Sequence, residues 1–245
     1  MLPLFSATEI QARTKPLADY LSKETGLSFV VEVKADYDLF TQSMSRGIDV
    51  AFTNPVYYAT SSNVHEVVAM ASKGKSGTKF RGMIVTRSDS NIKRAKDLIG
   101  KRVGFNGPRA GAAHLSQRLT LLESDVDTFR DMTLVKPVNN KQENTLLSVY
   151  AGDLDAGFVR ESALINVKKF IPSNQLKILL KTAWIPQWAL SVNRTMPEDH
   201  VVLIKQALER LPADHTVLKA LKVEDLVPAS DSEYDSVRSA MGEKN

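Results

Sequence analysis

Residues 47–58 read GIDVAFTNPVYY, an apolar run that ends at polar residues and a proline. Ile48 to Thr53 has the composition of a buried strand, and Asn54 followed by Pro55 is typical of a helix start. Such a start leaves backbone N–H groups at the carboxyl edge of a sheet, where open α/β proteins bind ligands and anions. Tyr57 would then supply a hydroxyl donor or an aromatic wall. An ordinary capped junction with its tyrosines in the core explains the stretch equally well.

Strand and helix patterns alternate on both sides of this stretch. A predicted strand at 28–33, a helix at 37–45 and the strand at 48–53 form a parallel βαβ unit. Further strands are predicted at 66–71, 82–86, 102–105, 133–138, 154–159 and 176–180, and helices at 92–99, 112–123, 143–151, 160–168 and 198–210. This alternation predicts the α/β class, with mainly parallel sheets flanked by helices.

The length of the chain allows two lobes with separate cores. It has 245 residues, of which 43% are hydrophobic. We expect residues 1–85 and 187–245 to form lobe 1 and residues 86–186 to form lobe 2. Two hinge crossings would connect the lobes, and a ligand cleft would lie between them.

Composition argues against several functional classes. The formal charge of +4 is spread along the chain, which gives no nucleic-acid footprint and mildly favours an anionic ligand. There are no cysteines, and the four histidines stand apart from other ligand residues, so neither a metal nor another cofactor is predicted. The sequence contains no GxSxG motif or other residue set that demands catalysis, so an enzyme is not expected.

Two further junctions resemble the first in their order of strand, turn and helix. Residues 105–114 combine Gly107 and Gly111, which permit close approach of a ligand, with Arg109 as a charged donor. A tight turn without function explains this segment as well. The third junction ends a strand at Val159 and places Arg160 beside Glu161, a pair that is more often solvated than functional.

The order of short motifs resembles the periplasmic phosphonate-binding protein family, the solute receptors of phosphonate, phosphite and phosphate-type ABC importers. The resemblance spans nearly the whole chain. It rests on segments at 16–21, 49–58, 97–105, 152–157 and 227–235, together with Tyr37. It implies a two-lobed type II periplasmic-binding fold that captures a small, anionic ligand by lobe closure and delivers it to a membrane permease.

The resemblance also implies site residues and a location. The predicted ligand-binding residues, from the junctions and the resemblance together, are Tyr37, Thr53, Asn54, Tyr57, Phe80, Arg81, Arg109, Ala110, Gly111, His114, Gln142 and Arg160. A monomer in the periplasm or at the outer membrane surface is implied, with a lipid anchor as one option. Met1 to Leu4 do not form a signal peptide, so an export signal would lie outside these residues.

One segment departs from the family pattern. Phosphonate-binding members usually carry a Ser-Thr-Ser-Gly-type turn before the second-lobe helix, and the corresponding residues here are Ala110-Gly111-Ala112-Ala113. The missing hydroxyls remove donors worth roughly 1.5 to 3 kcal/mol each to a charged group. The identity of the anion therefore stays open.

Three alternative functions also stay open at this stage. The segment 156–160 resembles sensor domains of the same fold, which act with a signalling partner such as a histidine kinase. The effector domain of a transcription regulator shares the architecture. An enzyme of this fold ranks last.

Overall fold

Helices and strands alternate through residues 1–242, the part of the chain that the computed structural model describes. The helices are α1 (Ala7–Thr25), α2 (Tyr37–Arg46), α3 (Pro55–Ser61), α4 (Ser116–Leu122), α5 (Gln142–Ala151), α6 (Glu161–Val167), α7 (Glu198–Glu209), α8 (Thr216–Leu221) and α9 (Asp235–Met241). The strands are β1 (Val50–Thr53), β2 (His65–Ser72), β3 (Lys79–Phe80), β4 (Gly82–Arg87), β5 (Arg102–Gly104), β6 (Thr133–Val135), β7 (Ala156–Arg160), β8 (Leu176–Lys181), β9 (Ile185–Pro186), β10 (Ala189–Asn193) and β11 (Asp225–Pro228). The predicted α/β class is confirmed.

The chain folds into two compact units. Unit 1 comprises Met1–Lys79 and Pro186–Asp235, and unit 2 comprises Phe80–Ile185 and the chain from Ser236 onwards. The first two boundaries fall within the short strands β3 and β9, which pair as a two-stranded sheet. The sequence expectation placed the whole C-terminal region in lobe 1, whereas helix α9 lies almost entirely in unit 2. The chain therefore crosses between the units three times, not twice.

Unit 1 is built on a four-stranded sheet in the order β1-β10-β2-β11. Helices α1, α7 and α8 pack on it through a cluster that includes Leu21, Val68, Ile204 and Leu218, all nearly inaccessible to solvent. Helix α1 begins where the Ser6 hydroxyl accepts a hydrogen bond from the Glu9 amide.

Unit 2 is built on a five-stranded sheet in the order β6-β5-β7-β4-β8. One face packs a cluster around Leu98, Val103 and Phe158, and the other packs Val85, Leu146 and Val159. Strands β6, β5 and β7 are parallel, so their carboxyl ends, and the loops that follow them, meet at one edge of this sheet.

The expectation of mainly parallel sheets is wrong for the strand pairs of unit 1. Strand β10 pairs antiparallel with both β1 and β2, and β11 pairs antiparallel with β2. In unit 2, β4 pairs antiparallel with both of its neighbours. In each unit the inserted strand, β4 or β10, is the first full strand after the chain enters that unit. The periodicity of a strand carries no information on its direction, so sequence analysis missed this.

The strand predicted at 28–33 is also absent from the described sheets. Residues 27–34 have no assigned helix or strand, although their side chains alternate between partial and full exposure, as in an extended segment. Val30 is 87% exposed. The β-branched composition predicted an extended backbone correctly. The extended segment pairs with no described strand, however, and so it is not part of a sheet. No helix within residues 1–242 is long and apolar enough to cross a membrane.

Candidate functional site

The Asn54 turn follows the carboxyl end of β1 in unit 1. The Asn54 side-chain oxygen accepts a hydrogen bond from the Tyr57 amide at 3.0 Å and so caps α3, as predicted. Thr53 is fully buried, and its hydroxyl has no hydrogen-bond partner among the described residues. An unpaired buried hydroxyl beside a helix start is a polar group that a ligand can satisfy.

Two predicted tyrosines lie together beside this turn. The rings of Tyr37, the first residue of α2, and Tyr57 stack with centroids 6.0 Å apart and an interplanar angle of 26°. Burial and the neighbouring Tyr57 raise the pKa of Tyr37, so its hydroxyl stays protonated at neutral pH. Tyr57 is 5% exposed and packs edge-on against Phe40. Its ring thus belongs partly to the core, as the alternative interpretation held.

In unit 2, the turn after β5 presents backbone amides. A π-helical turn at Gly111–Leu115 leads directly into α4, and its first hydrogen bond runs from the Leu115 amide to the Ala110 carbonyl at 3.0 Å. The amides of residues 111–114 therefore precede the first donor of the helix and can serve other acceptors. The carbonyls here are engaged: that of Ala112 accepts from the Gln117 side chain at 2.8 Å. A turn whose carbonyls are engaged and whose amides precede the helical ladder favours an anion.

Apolar side chains cover one side of the Gly111 turn. A Cβ added to Gly111 would lie 3.0 Å from the Phe80 ring and 3.3 Å from the Ile185 side chain. Phe80 therefore lies at the turn, and its contact with ligand, which the resemblance implied, stays a prediction. Arg81, the next residue, instead stacks its guanidinium on the Trp184 ring at 4.3 Å. Ile185 was not predicted, and no sequence signal links it to a turn some 70 residues earlier.

The structure corrects the prediction for the His114 side chain as a ligand contact. Its side chain is 1% exposed and is surrounded by Phe105, Phe129 and Phe158. Burial lowers the imidazole pKa to about 4, so the ring is neutral at physiological pH. His114 belongs to the core beneath the turn, and only its backbone amide remains available.

Gln142 and Arg160 meet at the same sheet edge. The Gln142 side-chain oxygen accepts a hydrogen bond from the Arg160 amide at 2.8 Å. This contact fixes the orientation of the side chain and leaves its NH₂ group as a donor. Arg160 ends β7 with an exposed side chain, and Arg109 is exposed on the turn with Ala110 beside it.

The loop after β6 completes this edge and was not predicted. The Asn106 side chain donates to the Asn140 carbonyl at 2.6 Å and to its side-chain oxygen at 3.1 Å. Asn139 and Asn140 both adopt the left-handed backbone region. Consecutive asparagines are a sequence signal for that conformation, and they mark the loop in retrospect. Residues 1–242 contain no cluster of three or more histidine, aspartate or glutamate side chains arranged to hold a metal.

Comparison with known proteins gives the family. A family model described as the periplasmic substrate-binding protein of phosphonate ABC transporters matches residues 1–234. The chain belongs to this family. It is therefore a periplasmic substrate-binding component of an ABC transporter, whose partners are a small-molecule ligand and a membrane permease.

Individual relatives of this substrate-binding protein are distant. The chain is 23% identical to the phosphate-import protein PhnD of Mycolicibacterium smegmatis, over 97% of the chain and 82% of that protein. Among solved structures, XAC2383 of Xanthomonas citri bound to ATP has a TM-score of 0.79 at 15% identity and covers 98% of this chain and 97% of its own. PhnD1 of Prochlorococcus marinus in complex with methylphosphonate has a TM-score of 0.73 at 15% identity, covering 99% and 97%. These likenesses show the periplasmic-binding-protein fold.

Proposed function

We propose that this substrate-binding protein captures a small anionic ligand, delivers it to its permease as a monomer, and catalyses no reaction. The observation that carries the proposal is the Gly111 turn, where the amides of residues 111–114 precede the first donor of the helix. The relatives bound to methylphosphonate and ATP support it, since both ligands are anions. The matching family is a transporter family, which favours delivery to a permease over the sensor alternative.

Each unit carries a candidate half-site for the ligand. We propose that Thr53 and Asn54 with Tyr37 form one half-site, and that the Gly111 turn with Phe80, Gln142 and the sheet edge near Arg160 forms the other. Tyr57, Ala110, Arg81 and Arg109 are further candidates from the predicted set. The family resemblance implies closure on the ligand, and a ligand drives such a change only through its higher affinity for the closed state.

The anion at the turn need not be a phosphonate. Residues 110–113 supply no side-chain hydroxyl, and the neutral His114 supplies no charge. Backbone amides and the Gln142 side chain are then the turn's uncharged donors. This arrangement favours an anion whose oxygens can be satisfied by uncharged hydrogen-bond donors over one that requires several charged partners.

A thermal-shift screen tests the proposal. The panel consists of methylphosphonate, phosphite, inorganic phosphate, sulfate, methanesulfonate and simple carboxylates, with choline and glucose as a cation and a neutral compound. A ligand at 100 times its dissociation constant adds about 2.7 kcal/mol, or about 5–10 °C in Tm for a chain of this size. Stabilisation by choline or glucose and by none of the anions would refute the anionic ligand.

Two variants that each introduce one negative charge locate the anion. Gln142→Glu keeps the acceptor for the Arg160 amide but replaces the NH₂ donor with a carboxylate oxygen. We expect it to weaken binding of the stabilising anion at least ~10-fold, about 1.4 kcal/mol. Gln175→Glu adds the same charge at an exposed position of unit 2 and should leave affinity unchanged.

Small-angle X-ray scattering with the same anion should show compaction, and an unchanged radius of gyration would contradict closure.

A further inference from the structure

His114 is a buried group that ligand binding does not use directly, yet both of its ring nitrogens have partners. Nδ1 lies 3.1 Å from the Pro108 carbonyl, and Nε2 lies 3.0 Å from the Thr128 hydroxyl. A carbonyl oxygen only accepts, so Nδ1 carries the proton and donates to Pro108. In the neutral ring Nε2 has a lone pair, and it accepts from the Thr128 hydroxyl.

The Thr128 hydroxyl itself accepts a hydrogen bond, so the chain of donors extends one residue further. An Arg118 guanidinium nitrogen lies 3.5 Å from the Thr128 hydroxyl oxygen, and the guanidinium forms a salt bridge with Asp127 at 2.9 Å. It also donates to the Ala240 carbonyl in α9 at 2.9 Å. Hydrogen bonds therefore run in one direction, from Arg118 through Thr128 and His114 to the Pro108 carbonyl, and each member polarises the next.

Pro108 lies at the beginning of the turn, where few other hydrogen bonds hold the backbone in place. Within the turn, the Ala110 amide donates to the Gly107 carbonyl at 3.1 Å, and the Asn106 amide donates to the Ala113 carbonyl at a longer 3.4 Å. The His114 bond joins the beginning of the turn to the helix six residues later. It thereby restrains the segment between them, whose amides at residues 111–113 face the proposed anion.

We propose that His114 is a positioning residue of this substrate-binding protein: through its bond to the Pro108 carbonyl, its side chain fixes the backbone amides of residues 111–113 without itself touching the ligand. The inference rests on the proposed function for the role of those amides. The ring packing and the hydrogen-bond chain act on the turn whether or not an anion binds. The positioning role of His114 and the binding of an anion can therefore be refuted independently.

Three variants separate packing from hydrogen bonding. His114→Phe keeps a ring of similar size and removes both nitrogens. His114→Asn places an amide donor near the position of Nδ1. Thr128→Val removes only the partner of Nε2 and is the mildest of the three. All of them lie beneath the turn, within unit 2.

Hydrogen exchange tests the positioning without any ligand. In His114→Phe we expect the hydrogen-bonded amides of the turn, those of Asn106, Ala110 and Leu115, to exchange at least ~10-fold faster, while residues 189–193 of unit 1 keep their wild-type rates. His114→Asn should recover most of the protection, and Thr128→Val should fall between. Unchanged exchange at these three amides in His114→Phe, or equal acceleration throughout the chain, overturns the inference.

Titrations with methylphosphonate, inorganic phosphate and methanesulfonate add the functional readout. We expect each probe that binds the wild type to bind His114→Phe at least ~10-fold more weakly and His114→Asn within ~3-fold of wild type. Equal affinity for wild type and His114→Phe overturns the positioning role. If no probe binds the wild type but exchange responds as expected, the proposed anion at the turn falls while the positioning of the turn stands.

The ring itself gives a test that needs no variant. Nitrogen-15 chemical shifts of the wild-type protein should show the Nδ1–H tautomer of His114, and the Nε2–H tautomer would overturn the inference.

The pKa of His114 is lowered to about 4, by burial first and then by Arg118, while its bond to Pro108 and the charge of Asp127 oppose that shift. The unfolded chain therefore takes up this proton first, so stability falls as the pH drops from about 6.5 towards 4.

Discussion

Gly82, at the start of β4, shows how closely the backbone approaches the helix after the Gly111 turn. A Cβ added here would lie 2.1 Å from the Gln117 side-chain nitrogen and 2.4 Å from the Ala112 carbonyl. The same Gln117 nitrogen donates to the Ala112 and Met83 carbonyls, so it has no room to retreat without breaking those bonds. Only glycine fits this position.

We therefore expect Gly82→Ala to reduce the free energy of unfolding by about 3 kcal/mol or more, at the upper end of the range for overpacking. Gly107→Ala is the matched control, because nothing lies within 4 Å of its Cβ and only its φ of +102° opposes substitution. It should cost about 1–2 kcal/mol. Urea denaturation measures both. A smaller loss for Gly82→Ala than for Gly107→Ala would show that the close approach at β4 is relieved.

At the scale of elements, the start of α3 depends on one buried side chain. Asn54 is 8% exposed, and its side-chain oxygen caps the helix through the Tyr57 amide. Helix α3 is only seven residues long, so a single cap is a large share of its local stabilisation.

Asn54→Ala should destabilise the protein by about 1–2 kcal/mol, because it leaves the buried Tyr57 amide without its acceptor. Asn54→Ser restores a capping oxygen and should recover at least half of that loss. Chemical denaturation followed by tryptophan fluorescence provides the measurement. Equal losses for the two variants would show that the cap is not what Asn54 contributes.

Strand direction is the element-scale feature that sequence reasoning did not reach. The stretch 82–86 was predicted as a strand, and it forms most of β4. Its apolar residues report burial on both faces, which is equally true of a parallel and an antiparallel central strand. Whether β4 runs with or against β7 depends on where the chain enters the unit, and local periodicity does not record this.

At the scale of the whole molecule, the C-terminal helix α9 joins a unit other than the one that precedes it. Its Val237 and Ala240 are fully buried, and Arg118 of unit 2 donates to the Ala240 carbonyl. Unit 1 ends at Asp235, so α9 is a third covalent connection between the units.

Truncation after Asp235 should therefore destabilise unit 2 by about 2–4 kcal/mol, through the lost burial of Val237 and Ala240 and the lost acceptor of Arg118. Hydrogen exchange resolves the two units: amides of residues 116–122 should lose protection, whereas residues 65–72 of unit 1 should keep it. Preferential loss of protection in unit 1 would contradict the assignment of α9. Arg118→Lys, which keeps the charge but removes the guanidinium fork, should reproduce part of the effect.

The sequence by itself determined the α/β class, the family and the cap at Asn54. These depend on short-range patterns: apolar periodicity, glycine and proline at turns, and motifs in a characteristic order. The same patterns pointed to the Gly111 turn, and the family resemblance pointed to Phe80; both stay predictions as ligand contacts. They also led to His114 as a ligand residue, because a histidine on a turn looks the same whether it points out or in.

Only the tertiary structure decided how distant segments meet. It buried His114 among three phenylalanines, brought Thr128 and Ile185 to the turn, inserted β10 between β1 and β2, left residues 27–34 outside the described sheets, and moved α9 into unit 2. Each of these outcomes depends on interactions between residues far apart in the chain. A local pattern predicts that a side chain is buried. Which residues bury it depends on the packing of the whole unit.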